Sequence, residues 1–147
     1  MATLALSNHG PAKSRKGFSL VELSVVVIII GVLAAFGVPR LLQSVERSKA
    51  SEAFNYLAAV RTAQERYQAR LGTYATDFTE LDMSQSAPTY FTVPATITAD
   101  ETTWSLQLTR AGASAGYGAY TVSFNEDGYD PDTTASSIPA AVNPRGT

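Results

Sequence analysis

Cysteine is absent from the 147 residues, which excludes a disulfide framework, a thiolate zinc site and a cysteine nucleophile. Histidine occurs once, as His9, ahead of the main apolar block, so the rest of the chain offers no imidazole to act as a base or metal ligand. Charge is scarce as well: 16% of residues are charged, the formal net charge is -2 and the sequence pI is near 5.3. That balance argues against a large phosphate-binding surface, and no nucleic-acid partner is expected. No catalytic residues are assigned and the chain is not expected to be an enzyme. Its length suits one modest domain and excludes two.

What the chain has in quantity is an apolar run near its N-terminus. From Leu23 to Pro39 no residue is charged, and the 22 residues from Phe18 to Pro39 hold a single ion, Glu22. At 1.5 Å per residue such a helix spans roughly 30 Å, the thickness of a bilayer core. Lys13, Arg15 and Lys16 precede it and the next cation is Arg40, so the positive-inside rule places the N-terminus in the cytoplasm and the remainder outside. A cleaved secretory signal fits poorly, because the run is too long and no Ala-x-Ala site follows it. An uncleaved single-span anchor would leave Glu22 in lipid without purpose, although such a carboxylate costs about 2.5 to 3.5 kcal/mol or more and usually has a partner.

The segment Lys16-Gly17-Phe18-Ser19-Leu20-Val21-Glu22-Leu23, followed by a run ending in Gly37-Val38-Pro39, resembles the type IV prepilin motif. The resemblance covers about the first 55 residues strongly and the rest by architecture. It implies that a membrane prepilin peptidase cuts between Gly17 and Phe18 and methylates the new amino terminus at Phe18. It also implies polymerisation of the chain with itself, with an assembly platform and an ATPase as further partners. The precursor would sit in the inner membrane with its N-terminus cytoplasmic, and the mature chain in an extracellular pilus or a periplasmic pseudopilus.

The residues fit this chemistry on physical grounds. Gly17 has no side chain to obstruct a protease, and the three leader cations hold residues 1–17 at the anionic cytoplasmic surface. They leave with the leader, so 8 of the 11 cations remain against 13 acidic residues. In a bundle of axially offset helices, the Glu22 carboxylate of one copy can reach the Phe18 ammonium of the next, and a wrong register would leave both unpaired. A simpler reading also stands: a glutamate in a first helical turn is favoured by the macrodipole.

Beyond Arg40 the pattern turns amphipathic, with Phe54, Leu57, Val60 and Tyr67 on one face. Glu46, Arg47, Lys49, Glu52, Arg61, Glu65, Arg66 and Arg70 read as a solvated face. Gly72 suits a left-handed cap, which predicts one helix over Phe18 to Leu71, the apolar part over 18–39 and the amphipathic part over 40–71. At roughly 80 Å it exceeds what a compact domain of this size encloses, so its first half is expected to project. Pro39 costs a helical hydrogen bond, and Gly31 and Gly37 lower propensity nearby. A kink or local melting is expected between Gly31 and Pro39, either as a bilayer exit or as the unwound segment that pilin-like filaments carry.

Residues 72–135 read as a loop followed by a sheet. Alternation predicts strands around Trp104, Leu106 and Leu108 and around Tyr120, Val122 and Phe124, with a short edge strand near Tyr90 to Val93 and Thr96 to Thr98 around Pro94. Ala111 to Gly118 reads as a flexible connection, and 136–147 as an extended or poorly ordered tail. The predicted fold is α+β, an antiparallel sheet of three or four strands packed on the amphipathic helix face. Asp127, Asp130 and Asp132 could present oxygens to Ca²⁺, as in the calcium loop of major pseudopilins, but a turn after a strand explains them without metal. No other cofactor is expected.

Three functions remain open. The leading one is a pilin subunit of a type IV pilus serving adhesion or motility. The first alternative is a pseudopilin of a type II secretion system, toward which the acidic loop and missing cysteines lean. The second is a membrane-anchored binding domain that never polymerises.

Overall fold

The structure, a computed structural model, describes residues 17–113, 116–132 and 134–146. The leader cations Lys13, Arg15 and Lys16 lie outside the described residues, as do positions 114 and 115 of the predicted connection. The chain divides into two units after Gly37.

One helix, α1, runs over Leu20–Leu71. Ser19 caps its start, its hydroxyl accepting from the Val21 amide at 3.2 Å. Its end follows the predicted chemistry: Arg70 lies in the last turn, and Gly72 takes φ +78° while its amide donates to the Gln68 carbonyl at 2.8 Å. The helix is continuous through Gly31, Gly37 and Pro39. The segment expected to kink or melt is therefore not melted in the single chain, where losing one hydrogen bond at proline does not outweigh a cooperative ladder on both sides.

In the first unit every described residue is exposed, including Leu20, Ile28, Leu33 and Phe36. This half of α1 is long and apolar enough to cross a membrane by length and composition.

In the second unit α1 lies against an antiparallel sheet whose strands are β1 (Phe91–Thr92), β2 (Thr98–Ala99), β3 (Trp104–Arg110), β4 (Thr121–Asn125) and β5 (Gly128–Asp130). Their order is β1-β3-β4-β5, with β2 also paired to β3. Strand β3 alternates buried and exposed residues along its whole length, so Trp104, Leu106 and Leu108 face the helix. The partner face of α1 supplies Ala50, Ala53, Phe54, Leu57, Val60 and Ala63, all buried. Fully burying a side chain such as Leu57 contributes about 1.5–3 kcal/mol. The α+β expectation holds, with differences of detail. The predicted edge strand is two strands, β1 and β2, because Pro94 between them cannot donate to a ladder. Tyr120 precedes β4 rather than starting it, yet is buried.

Strand β5 was not foreseen. It closes a hairpin on β4 through Glu126 and Asp127, pairing Asn125 with Gly128. Gly128 has φ +115°, a backbone conformation that favours glycine, and a Cβ there would stand 3.1 Å from the Arg61 guanidinium, which would have to shift.

The C-terminal segment is also corrected. Described over Ser136–Gly146, it is docked rather than loose. Ser136 Oγ accepts from the Ser123 amide at 2.9 Å, and the Ser137 amide donates to the Thr121 carbonyl at 3.1 Å. Gln43 donates to the Ala141 carbonyl at 2.8 Å, and Val142 is fully buried in the core. The Arg145 guanidinium stands over the Phe124 and Tyr129 rings, 6.0 and 5.9 Å from their centroids.

Candidate processing and assembly site

The candidate scissile bond, Gly17-Phe18, lies in a non-helical stretch just before α1. Among the described residues nothing stands within 4 Å of where a Gly17 Cβ would be, and Phe18 is 83% exposed. The next three residues tie this stretch to the helix. The Ser19 amide donates to Glu22 Oε2 at 3.0 Å while the Val21 amide donates to Ser19 Oγ, a reciprocal capping box. Glu22 thus takes the helix-start role in the single chain, its carboxylate held one residue beyond the amine that cutting would create. Among the described residues Gly31 and Gly37 have no neighbour within 4 Å of a Cβ position, so no packing among those residues explains them.

Glu46 is a correction. Read as part of a solvated face, it is fully buried in the second unit. Arg110 Nε donates to its Oε1 at 2.5 Å and Arg110 Nη2 to its Oε2 at 3.2 Å, while the Tyr120 hydroxyl donates to Oε1 at 3.0 Å. Lys49 Nζ stands 3.7 Å from Oε2. Arg110 also donates to the carbonyls of Tyr90, Ala111 and Ala113. The Arg110 hydrogen bonds hold the Glu46 carboxyl below its ordinary value against the opposing effect of burial, and the Arg110 guanidinium is raised in turn by Glu46. Burial, then the bond to Glu46, pushes the Tyr120 hydroxyl well up. The sequence did hold a signal: Glu46 precedes Ala50 by four residues and Ala53 by seven, so it continues the apolar stripe. Gln64 lies on the same stripe, buried, its amide donating to the Ala75 carbonyl at 2.7 Å and accepting from the Ala75 amide at 2.8 Å.

The three candidate calcium ligands do not converge. Asp130 belongs to β5 and its Oδ1 accepts from the Asp132 amide, while Asp132 Oδ1 accepts from the amide and hydroxyl of Thr134. Asp127 lies in the β4–β5 turn. Among the described residues no group of three or more histidine or acidic side chains is gathered for a metal. The Asp130 and Asp132 carboxylates instead accept hydrogen bonds within their own turns.

Comparison with known proteins bears on the same end of the chain. Residues 12–38 match the prokaryotic N-terminal methylation motif. The chain is 41% identical over 63 residues to fimbrial protein EcpC of Eikenella corrodens, covering 43% of this chain and 41% of that protein. It is 43% identical over 60 residues to type IV major pilin protein PilA of Myxococcus xanthus, covering 41% and 27%. It is 34% identical over 77 residues to type II secretion system core protein G of Vibrio cholerae, covering 52% and 53%. The chain thus spans between about a quarter and about half the length of these relatives. The methylation motif and these relatives make the N-terminal part of the chain similar to type IV pilins and to type II secretion core protein G, and the long helix on a small antiparallel sheet is consistent with the α+β pilin fold.

Proposed function

We propose that the chain is a structural subunit, made as a membrane-inserted precursor, cut between Gly17 and Phe18, methylated at the Phe18 amine and polymerised into a type IV pilus. One observation carries this reading. An open, non-helical Gly17-Phe18 bond immediately precedes a capped helix whose apolar side chains, through Val38, are all exposed. Those side chains need lipid before assembly and neighbouring helices after it. Leaving the bilayer for a bundle exchanges one apolar environment for another, so the packed second unit need not refold. Within the bundle Glu22 would exchange its Ser19 amide for the Phe18 ammonium of a neighbouring copy, which specifies axial offset because any other leaves both ions unpaired. Prepilin peptidase, an assembly platform and an ATPase are the partners this requires.

The similarity to core protein G supports a second reading, a pseudopilin confined to the envelope. Both readings share the same processing and differ in where the polymer is found. The test is intact and N-terminal peptide mass spectrometry on fibres sheared from cells and on the remaining envelope. A chain beginning at N-methylated Phe18 in the sheared fraction is expected. The same chain in the envelope alone would make it a pseudopilin, and an uncut chain beginning at Met1 would overturn both.

A further inference from the structure

The second unit carries the apolar side chains of α1 in two ways. From Ala50 onward they are enclosed by the sheet, but Leu41, Leu42 and Val45, in the same unit, are 62%, 43% and 44% exposed and stand outside the core. Arg40 and Arg47 flank them, both exposed. Seven positions are close to two full turns, so the two guanidinium groups leave the helix on one side. Arg47 donates to the Pro144 carbonyl at 3.3 Å, and among the described residues neither arginine pairs with a carboxylate. The acidic residue between them, Glu46, is buried and answered by Arg110, Tyr120 and Lys49. The segment that docks beside them, 134–146, contributes no acidic residue.

Carboxylates gather at the opposite end of the same unit. Asp100 and Glu101 lie in the turn between β2 and β3, and Glu126 and Asp127 in the turn between β4 and β5. Pairing of Ser105 with Asn125 sets these turns side by side, and the Tyr74 amide, just past the end of α1, donates to the Asp100 carbonyl at 3.0 Å. The unit is thus cationic where α1 enters it and anionic where α1 ends, a charge separation that orients it on a charged surface.

Counting along α1 gives that surface a place. The 22 residues from Phe18 to Pro39 rise roughly 33 Å, so when they span a bilayer Arg40 stands at the edge of the hydrocarbon. Each headgroup belt is about 5–8 Å deep, the difference between a core of about 30 Å and a whole bilayer of about 40–45 Å. Leu41, Leu42 and Val45 fall inside the belt, and Arg47 reaches its outer edge roughly 10 Å beyond Arg40. Apolar side chains at the acyl boundary with arginines at phosphate level are the chemistry of an interfacial lipid contact.

We propose that Arg40, Leu41, Leu42, Val45 and Arg47 form a docking surface for anionic phospholipid headgroups in the leaflet where α1 leaves the membrane, holding the second unit upright with its acidic turns away from the lipid. This rests on the membrane-inserted precursor proposed above. It adds a step to polymer formation, because these arginines must give up their phosphates when the chain leaves the bilayer.

The chain has no cysteine, so Ser44→Cys gives one site for a bimane label between the two arginines. The labelled full-length chain is placed in phosphatidylcholine vesicles with a minor share of phosphatidylglycerol. Quenching is then compared when a nitroxide near the top of the acyl chain is carried by one lipid or by the other. The expected preference for phosphatidylglycerol is about fivefold or more, since one arginine at an anionic surface corresponds to about that factor. It should fall to near parity at high salt and in Arg40→Gln/Arg47→Gln, with Trp104 emission unchanged as the sign of an intact fold. Should that emission change, Arg40→Gln alone is compared, and an undiminished preference in either variant overturns the surface. A second label, on Ile28→Cys, reads insertion through nitroxides deep in the acyl chains. Quenching there without any lipid preference at the Ser44 site overturns the surface and leaves insertion standing. No quenching there overturns the membrane-inserted precursor, and the surface with it. A signal at the Ser44 site that follows protein density rather than phosphatidylglycerol content would assign this end to the acidic turns of a second copy and overturn the lipid contact.

Discussion

At Glu22 one carboxylate has two possible tasks, and a single atom's difference separates them. The capping box needs an acceptor oxygen at this position, which glutamine supplies as well as glutamate. An ion pair with a neighbour's ammonium needs the charge. Glu22→Gln is therefore expected to reduce sheared polymer as severely as Glu22→Ala, and a normal yield from the glutamine variant would reduce Glu22 to a cap. Gly17→Val should leave the uncut Met1 chain as the dominant mass, with the fold unchanged because no described residue packs on that position. Acid sensitivity is also set by single residues. The Glu46 carboxyl is depressed by Arg110 from an ordinary value of 4.5, so its stabilisation is complete above that pH and is lost as pH falls through the folded value. Asp100 behaves likewise between 3.8 and about 2, because the Thr102 and Thr103 amides favour its charged form. The melting temperature of the second unit should fall across this acid range, and Asp100→Asn should flatten the lower part of that fall.

Among the elements, those governed by local chemistry were legible in advance and those governed by distant partners were not. Helix α1 announced itself through an apolar run, an amphipathic stripe and Gly72, and β3 through strict alternation. Strand β5 was hidden because its three residues, Gly128 to Asp130, carry turn chemistry and become a strand only by pairing with β4. The C-terminal segment looked loose because Pro139 and Pro144 and its small residues suggest no regular structure. Its order comes from partners about a hundred positions earlier, such as Gln43. Glu46 departs from the solvated face for the same reason: its charge suits solvent, and the partner that buries it, Arg110, lies 64 positions away. The N-terminal motif was legible because it is short and contiguous. If the C-terminal segment is integral to the core, Val142→Ala should cost about 1–3 kcal/mol in chemical denaturation.

Taken whole, the molecule combines two regions with different solvent requirements. One carries its apolar side chains outward, and the other encloses them between α1 and the sheet. Trp104 is the only tryptophan and is buried on β3, so its fluorescence reports the second unit alone, whereas far-ultraviolet circular dichroism reports both. In micelles, urea should bring about the tryptophan transition before the helical signal is fully lost, because detergent protects the apolar half. Coincident transitions would show the two regions to be one cooperative unit.

The docked C-terminal segment has a mechanical consequence. It is closed by single hydrogen bonds, one buried valine and an arginine over two aromatic rings, with no covalent link available anywhere in the sequence. Such a clasp opens and recloses without an oxidant or a reductant, and when it opens it uncovers Phe124 and Tyr129. In the proposed polymer, opening of this segment would therefore be reversible and the same in reducing and oxidising surroundings.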